Sequence, residues 1–140
     1  MSTKPVISFA QAQAAMTAMI EKAMQTPDQP VAMAIVDDAG MMVAYAHMDN
    51  LRTFPKRHAF RKAYTCAITG QDSGAYGERV KSRGLTVSEL GGDPNLTPGQ
   101  GGVVVQSKEG MVMGGIGVGG YPSGQSDEDL ARLGLQAMNL

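Results

Sequence analysis

Apolar residues recur at helical spacing near the start of the chain. Ala12, Ala15, Met16, Met19, Ile20, Ala23 and Met24 fall on one face. Ser8-Phe9-Ala10-Gln11 precedes them as a capping box, in which the serine oxygen and the Gln11 side chain satisfy free N–H groups. The pattern predicts a helix from Ser8 that ends before Thr26-Pro27. A continuous apolar run follows, Val31 to Val36, then the turn residues Asp37-Asp38-Ala39-Gly40, then Met41 to Met48. This reads as a β-hairpin. Strict alternation in its second strand puts Met41, Val43, Tyr45 and His47 on one face and Met42, Ala44, Ala46 and Met48 on the other.

Pro55 suits the first turn of a second helix, where its missing N–H costs nothing. Ala59, Ala63, Cys66 and Ala67 form a small-residue stripe that lets this helix lie close to a sheet. His58, Lys62, Thr65 and Thr69 share another face, and Gly70 ends the helix. Gly74, Gly77 and Gly84 among charged residues predict only a short or irregular helix over 71–84. Thr86-Val87-Ser88-Glu89 is a capping box for about one turn. Residues 91–100 form a loop by composition, longer than most connections, and such loops often bind ligands.

The stretch from Gly101 to Asp129 holds a second hairpin, Val103–Val105 and Met111–Val118, joined by polar residues and Gly110. Its second strand carries glycines at 114, 115, 117, 119 and 120. Glycine weakens a strand unless a close neighbour or a ligand needs the space. Ser126 reads as the cap of a last helix, with Asp127, Glu128 and Asp129 where the helix dipole favours negative charge. Leu130, Leu133, Gly134, Ala137 and Met138 are its packing stripe. The order α-β-β-α-α-β-β-α predicts an α+β fold: one domain over 1–140, with two hairpins forming an antiparallel sheet flanked by helices.

Composition narrows the function classes. The 140 residues are 43% hydrophobic and 18% charged, with a formal net charge of -1, an ordinary globular balance for one domain. No basic cluster is interleaved with aromatics, so nucleic acid is not an expected partner. No apolar run is long enough to span a membrane, and MSTKPVISFAQAQ lacks the regions of a signal peptide. A cytoplasmic location is the expectation, and the single Cys66 fits a reducing compartment. Eleven methionines against three Phe and no Trp point to a core filled by thioethers, which also line adaptable pockets.

Candidate chemistry is sparse. Gly115-Ile116-Gly117-Val118-Gly119-Gly120 approaches a dinucleotide fingerprint but lies within a hairpin strand, with no βαβ unit around it. Those glycines either admit a close neighbour or expose backbone to a ligand. Asp37, Asp38 and Asp49 flank the first hairpin and read first as turn residues. No zinc spacing or metal-ligand set is present, so no metal site is expected. His47 and His58 are the only histidines, each open to a role as axial ligand, general base or neither. Lys62, with His58 one turn before it and Thr65 after it, is the most site-like cluster. A lysine there is suited to hold a carboxylate or phosphate or, if desolvated, to act as base or nucleophile. Cys66 lies on the alanine stripe and reads as buried and inert.

Four segments resemble one family in order and over nearly the whole chain. Val36-Asp37-Asp38-Ala39-Gly40 with Val43 to Asp49 is similar to its "VVDxxGxLVAFxRMDGA" segment, and Lys62 to Ala67 to its "KAxTAA" helix. Gly101 to Val105 resembles "GGxPI", and Gly114 to Gly120 with Gln125 to Glu128 and Ala131 to Leu135 resembles "GAIGVSGxxxxQDxxxAxAGL". This is the GlcG/HbpS-like family, also called haem-degrading, which includes the C-terminal domain of PduO-type proteins. The resemblance implies a profilin-like domain, homo-oligomers, and haem or another small ligand for some members. His47 stands where the family often has Arg, Asn50-Leu51 replaces Gly-Ala, and Thr53-Phe54-Pro55 departs from the usual stretch.

Three functions follow as expectations, the third being a subunit or interaction protein with no chemistry. The first is a small-ligand-binding protein, with haem or a related cofactor as the ligand and His47, His58 or a Met as the axial group. The second is a cofactor-independent enzyme acting on a small anionic metabolite, with Lys62 and His58, or a nearby Asp, as catalytic residues. Ligand contacts are expected from His47, Asp49, Thr65, Gly101, Gly102, Gly119 and Gly120. They focus on the junction of the 91–102 loop, the end of the second hairpin and the Lys62 face.

Overall fold

The computed structural model describes residues 4–140; residues 1–3, which enter the signal-peptide reading, lie outside them. Helix α1 (Phe9–Ala23) is followed by strands β1 (Ala32–Asp37) and β2 (Met42–His47), then helices α2 (Thr53–Thr69) and α3 (Ser73–Ser82). A 3-10 turn (Val87–Leu90), strands β3 (Gly102–Gln106) and β4 (Val112–Gly119), and helix α4 (Gly124–Ala137) complete the chain. The four strands form one antiparallel sheet in the order β2-β1-β4-β3, so the two hairpins meet through β1 and β4. The α+β order expected from the sequence is the one observed.

Local signals act as expected in several places. Ser8 caps α1 through its Oγ, which accepts from Gln11 N at 3.0 Å, while Gln11 Oε1 accepts from Ser8 N at 2.9 Å. Gly70 ends α2 in the left-handed region at φ 72°, a conformation that suits glycine. The capping box at Thr86 opens the 3-10 turn.

Both faces of the sheet are covered, which is why β1 reads as an unbroken apolar run. Helix α2 covers one face, against Ala32, Ala34 and Val36; α1 and α4 cover the other, against Met33, Ile35, Ile116 and Val118. Met16, Met19, Met33, Met113 and Met138 are buried in that second layer, as the methionine-rich composition suggests. The glycines of β4 explain the close seating of α2. A Cβ on Gly115 would collide with the Ala63 carbonyl, and one on Gly117 with the Ala59 carbonyl. Bare strand thus meets the alanine stripe, and helix backbone rests directly on sheet backbone.

Three local expectations are corrected. Residues 73–82 form a regular ten-residue helix, because Gly77 lets the helix pack where a Cβ would strike the Pro98 carbonyl. Val43 packs with Ala44 on the α1 side, since a bulge opposite Ile35/Val36 breaks the alternation. The cap of α4 is Ser123, whose Oγ accepts from Ser126 N at 3.1 Å, so the helix begins before Ser126.

Candidate functional site

The registers bring the candidate residues to one end of the sheet. Ala32 opens β1, opposite both His47 at the end of β2 and Gly119 at the end of β4. Gly102 opens β3 beside Gly117. Around this end the candidates divide into an interior cluster under α2 and an open cleft beside α1.

The interior cluster centres on Lys62, which is only 4% exposed. Its Nζ donates to the Val118 carbonyl at 2.8 Å and to Asp127 Oδ2 at 2.9 Å. Asp127 is equally buried, and its Oδ1 accepts from Tyr121 N at 3.1 Å. Burial pushes the Asp127 carboxyl above its ordinary range, against the pull of Lys62 and the Tyr121 N–H. The pair therefore ties α2, β4 and α4 together. Gly101 (φ 135°) passes so close that a Cβ would lie 2.6 Å from Lys62 Nζ.

Thr65 is fully buried; its hydroxyl donates to the Arg61 carbonyl and accepts from Thr97 N at 2.9 Å, anchoring the long loop to α2. Gly102 N donates to Ser73 Oγ at 2.8 Å, and a Cβ there would meet the Lys62 carbonyl and Cys66 Sγ. Gly119 lies against Pro55, and Gly120 (φ 126°) against the Pro30 carbonyl.

His58 is half-buried, stacked on Phe54 with ring centroids 4.8 Å apart. Its Nδ1 is buried without a hydrogen-bond partner, and its Nε2 faces Gly99, where a Cβ would lie 2.8 Å away. Burial lowers its pKa to about 4, helped by the nearby Lys62 and Arg61 charges, so the imidazole is neutral at pH 7. Burial pushes the Cys66 thiol well above its ordinary value, against thiolate chemistry.

The cleft is a different environment. It encloses about 380 Å³ between α1 and the end of β2. Ile20, Ala23, Met24, Met33, Ala46 and Met48 give it apolar walls, while His47 and Asp49 stand among its polar lining. His47 Nδ1 lies 3.3 Å from the Met48 carbonyl oxygen. In the tautomer that carries its hydrogen on Nδ1, that carbonyl accepts it and the Nε2 lone pair is available. Met48 Sδ already accepts from Val31 N at 3.4 Å, whereas Met24 is 56% exposed. Asn50, just past the strand, sits at φ 68°. Asparagine, like glycine, tolerates that region.

Sequence reasoning singled out Lys62, as a candidate catalytic residue, but not its partner Asp127, which read as one of three acids at a helix start. Its signal was spacing: four residues from the Ser123 cap, Asp127 falls on the face that carries Leu130 and Ala131 into the core.

Comparisons with known proteins agree with this architecture. Residues 7–136 match the family model described as "Haem degrading protein HbpS-like". The structure of a double mutant of Streptomyces reticuli HbpS superposes with a TM-score of 0.84 at 27% identity, covering 97% of this chain and 89% of that one. A PduOC:heme complex gives 0.82 at 25% identity, with 96% of each chain covered. Klebsiella pneumoniae protein ORFY shares the fold, at TM-score 0.84 and 23% identity over 99% and 94% of the two chains. No curated protein matches the chain.

Proposed function

Because the chain belongs to the HbpS-like family of haem-degrading proteins, we propose that it binds haem, and that the His47 cleft is where it does so. One observation carries the choice of site: an imidazole at an apolar cleft, with its Nδ1 3.3 Å from the Met48 carbonyl oxygen, a contact that suits the tautomer with Nε2 available to a ligand. Metal-ligating histidines are typically oriented in this way, with the second nitrogen donating to a carbonyl or carboxylate. His58 lacks that arrangement, having one nitrogen orphaned in the interior and the other against Gly99. The structure of a PduOC:heme complex in a relative of the same fold adds support.

The residues present fit an iron porphyrin. Thioether and aliphatic side chains suit the macrocycle, His47 suits the iron, and Met24 is a second free donor. No lysine or arginine lines the cleft among the described residues, so acidic substituents would face water. When bound, the iron supplies the redox and ligand-exchange chemistry; the chain's part is to orient the donor and exclude water from one side. A homo-oligomer is part of the same reading. Phe9, Met41 and Phe54 are 81%, 66% and 60% exposed, apolar surface suited to contacts between copies. A sedimentation mass near 14.7 kDa would contradict that arrangement.

Hemin titration tests the site. The wild type should give a saturable Soret band, and His47→Ala should lose or shift it while His58→Ala keeps it. Binding untouched by His47→Ala would refute the assignment of the iron ligand.

A further inference from the structure

Helix α2 contains four basic residues, Lys56, Arg57, Arg61 and Lys62, and no acidic residue. Lys62 is paired with Asp127, but Lys56, Arg57 and Arg61 have no ion-pair partner among the described residues. Two of these charges sit in the first turns, at the positive end of the helix dipole, and Arg57 and Arg61 are four residues apart, where like charges repel. All three line one cavity of about 300 Å³ between α2 and β2, together with Tyr45, Phe60 and Asn95. Asp93, whose carboxylate accepts from the Tyr64 hydroxyl at 2.7 Å and from Asn95 N at 2.9 Å, forms no ion pair with any of the three among the described residues. The Tyr45 hydroxyl donates to the Lys56 carbonyl at 3.0 Å, fixing that wall to the start of the helix.

We propose that this cavity is a binding site for a small organic oxyanion, a phosphate ester or carboxylate carried on a flat apolar group. Lys56, Arg57 and Arg61 all line this one cavity, where an anion would relieve their mutual repulsion, and arginine recognises such oxygens in pairs. Phe60 and Tyr45 supply aromatic wall for the apolar part, and Asn95 an amide at the rim. A sequence keeps locally unfavourable choices where function requires them, and an acid-free helix in a chain of net charge -1 is such a place. The cavity shares no lining residue with the His47 cleft, although its Tyr45 ring meets the His47 ring edge-on at 5.8 Å between centroids.

Calorimetric titration with phenyl phosphate, inorganic phosphate and phenol tests the assignment on the full chain. Phenyl phosphate should bind saturably, inorganic phosphate more weakly and phenol not detectably. Arg57→Gln and Arg61→Gln should each weaken phenyl phosphate binding by about tenfold or more, while Lys108→Gln, on the exposed turn between β3 and β4, leaves it unchanged. Without ligand, the two Gln variants should melt at the wild-type temperature or above it, since they remove a repulsion. Absence of saturable binding, equal affinity in the Gln variants, or phosphate binding as tightly as phenyl phosphate would overturn the proposal. A lowered melting temperature in both variants would also overturn it, by showing that the cations serve the fold. Loss of the hemin Soret band in His47→Ala is read independently, so either proposal can fail without the other.

Discussion

Lys62→Met is the most informative single substitution for the fold. Methionine keeps most of the buried stem but removes the amine, leaving Asp127 at 4% exposure with only the Tyr121 N–H as partner. The Val118 carbonyl also loses the donor that reaches it at 2.8 Å. Removing one member of a buried ion pair costs about 3–5 kcal/mol, because the other charge is left uncompensated. That is a large share of the roughly 5–15 kcal/mol that holds a domain together. With a urea m-value of about 2 kcal/mol/M, the unfolding midpoint should fall by roughly 1.5–2.5 M. Lys62→Met/Asp127→Asn, which keeps an acceptor for Tyr121 N, should recover most of the loss. The pH dependence follows from the direction of the Asp127 shift. Burial already raises this carboxyl, and removing Lys62 takes away a group that pulls it down. A raised folded-state pKa gives stability that is full below the unfolded value and is lost as pH rises through the folded one. The variant's deficit should therefore be smallest in acid and largest near neutrality. A midpoint shift below about 0.5 M, the size expected of an exposed pair, would refute the buried-pair account.

Other consequences are equally direct. His58 has a folded-state pKa of about 4, depressed from 6.5, so its contribution is full above pH 6.5 and is lost as pH falls toward 4. The melting temperature of the wild type should drop across that window, and His58→Gln should flatten the drop; parallel pH profiles would contradict the burial of the ring. Gly117→Ala would press a Cβ onto the Ala59 carbonyl. It should cost about 1–3 kcal/mol or more by overpacking, and a neutral result in chemical denaturation would mean that α2 lies farther from the sheet. Gly84→Ala offers a contrast: nothing lies within 4 Å, but its φ of 68° is strained for alanine, so the loss should come from backbone strain alone.

Much of the fold was legible because its signals are local. The capping box at Ser8, the apolar run of β1 and the glycine that ends α2 each specify their element without help from distant residues. Helix α3 was expected only as short or irregular because Gly74 and Gly77 read as breakers, whereas their missing side chains make room for Gln100 and Pro98. The β4 glycines left two readings open, ligand or close neighbour. Gly115 and Gly117 turn out to face the backbone of α2, which a sequence cannot show until the sheet order is known. The candidate site was legible in part. Lys62 stood out, yet its partner lies 65 residues away, and only the folded chain joins them. His47 and His58 looked alike in the sequence; in the fold His47 lines an apolar cleft, whereas the His58 Nδ1 is buried without a partner.

The structure of the hemin-loaded protein tests the central claim most directly. The account predicts iron on His47 Nε2, with the macrocycle against Met24, Ile20 and Met48. Iron held elsewhere, with the His47 cleft empty at full hemin occupancy, would contradict it.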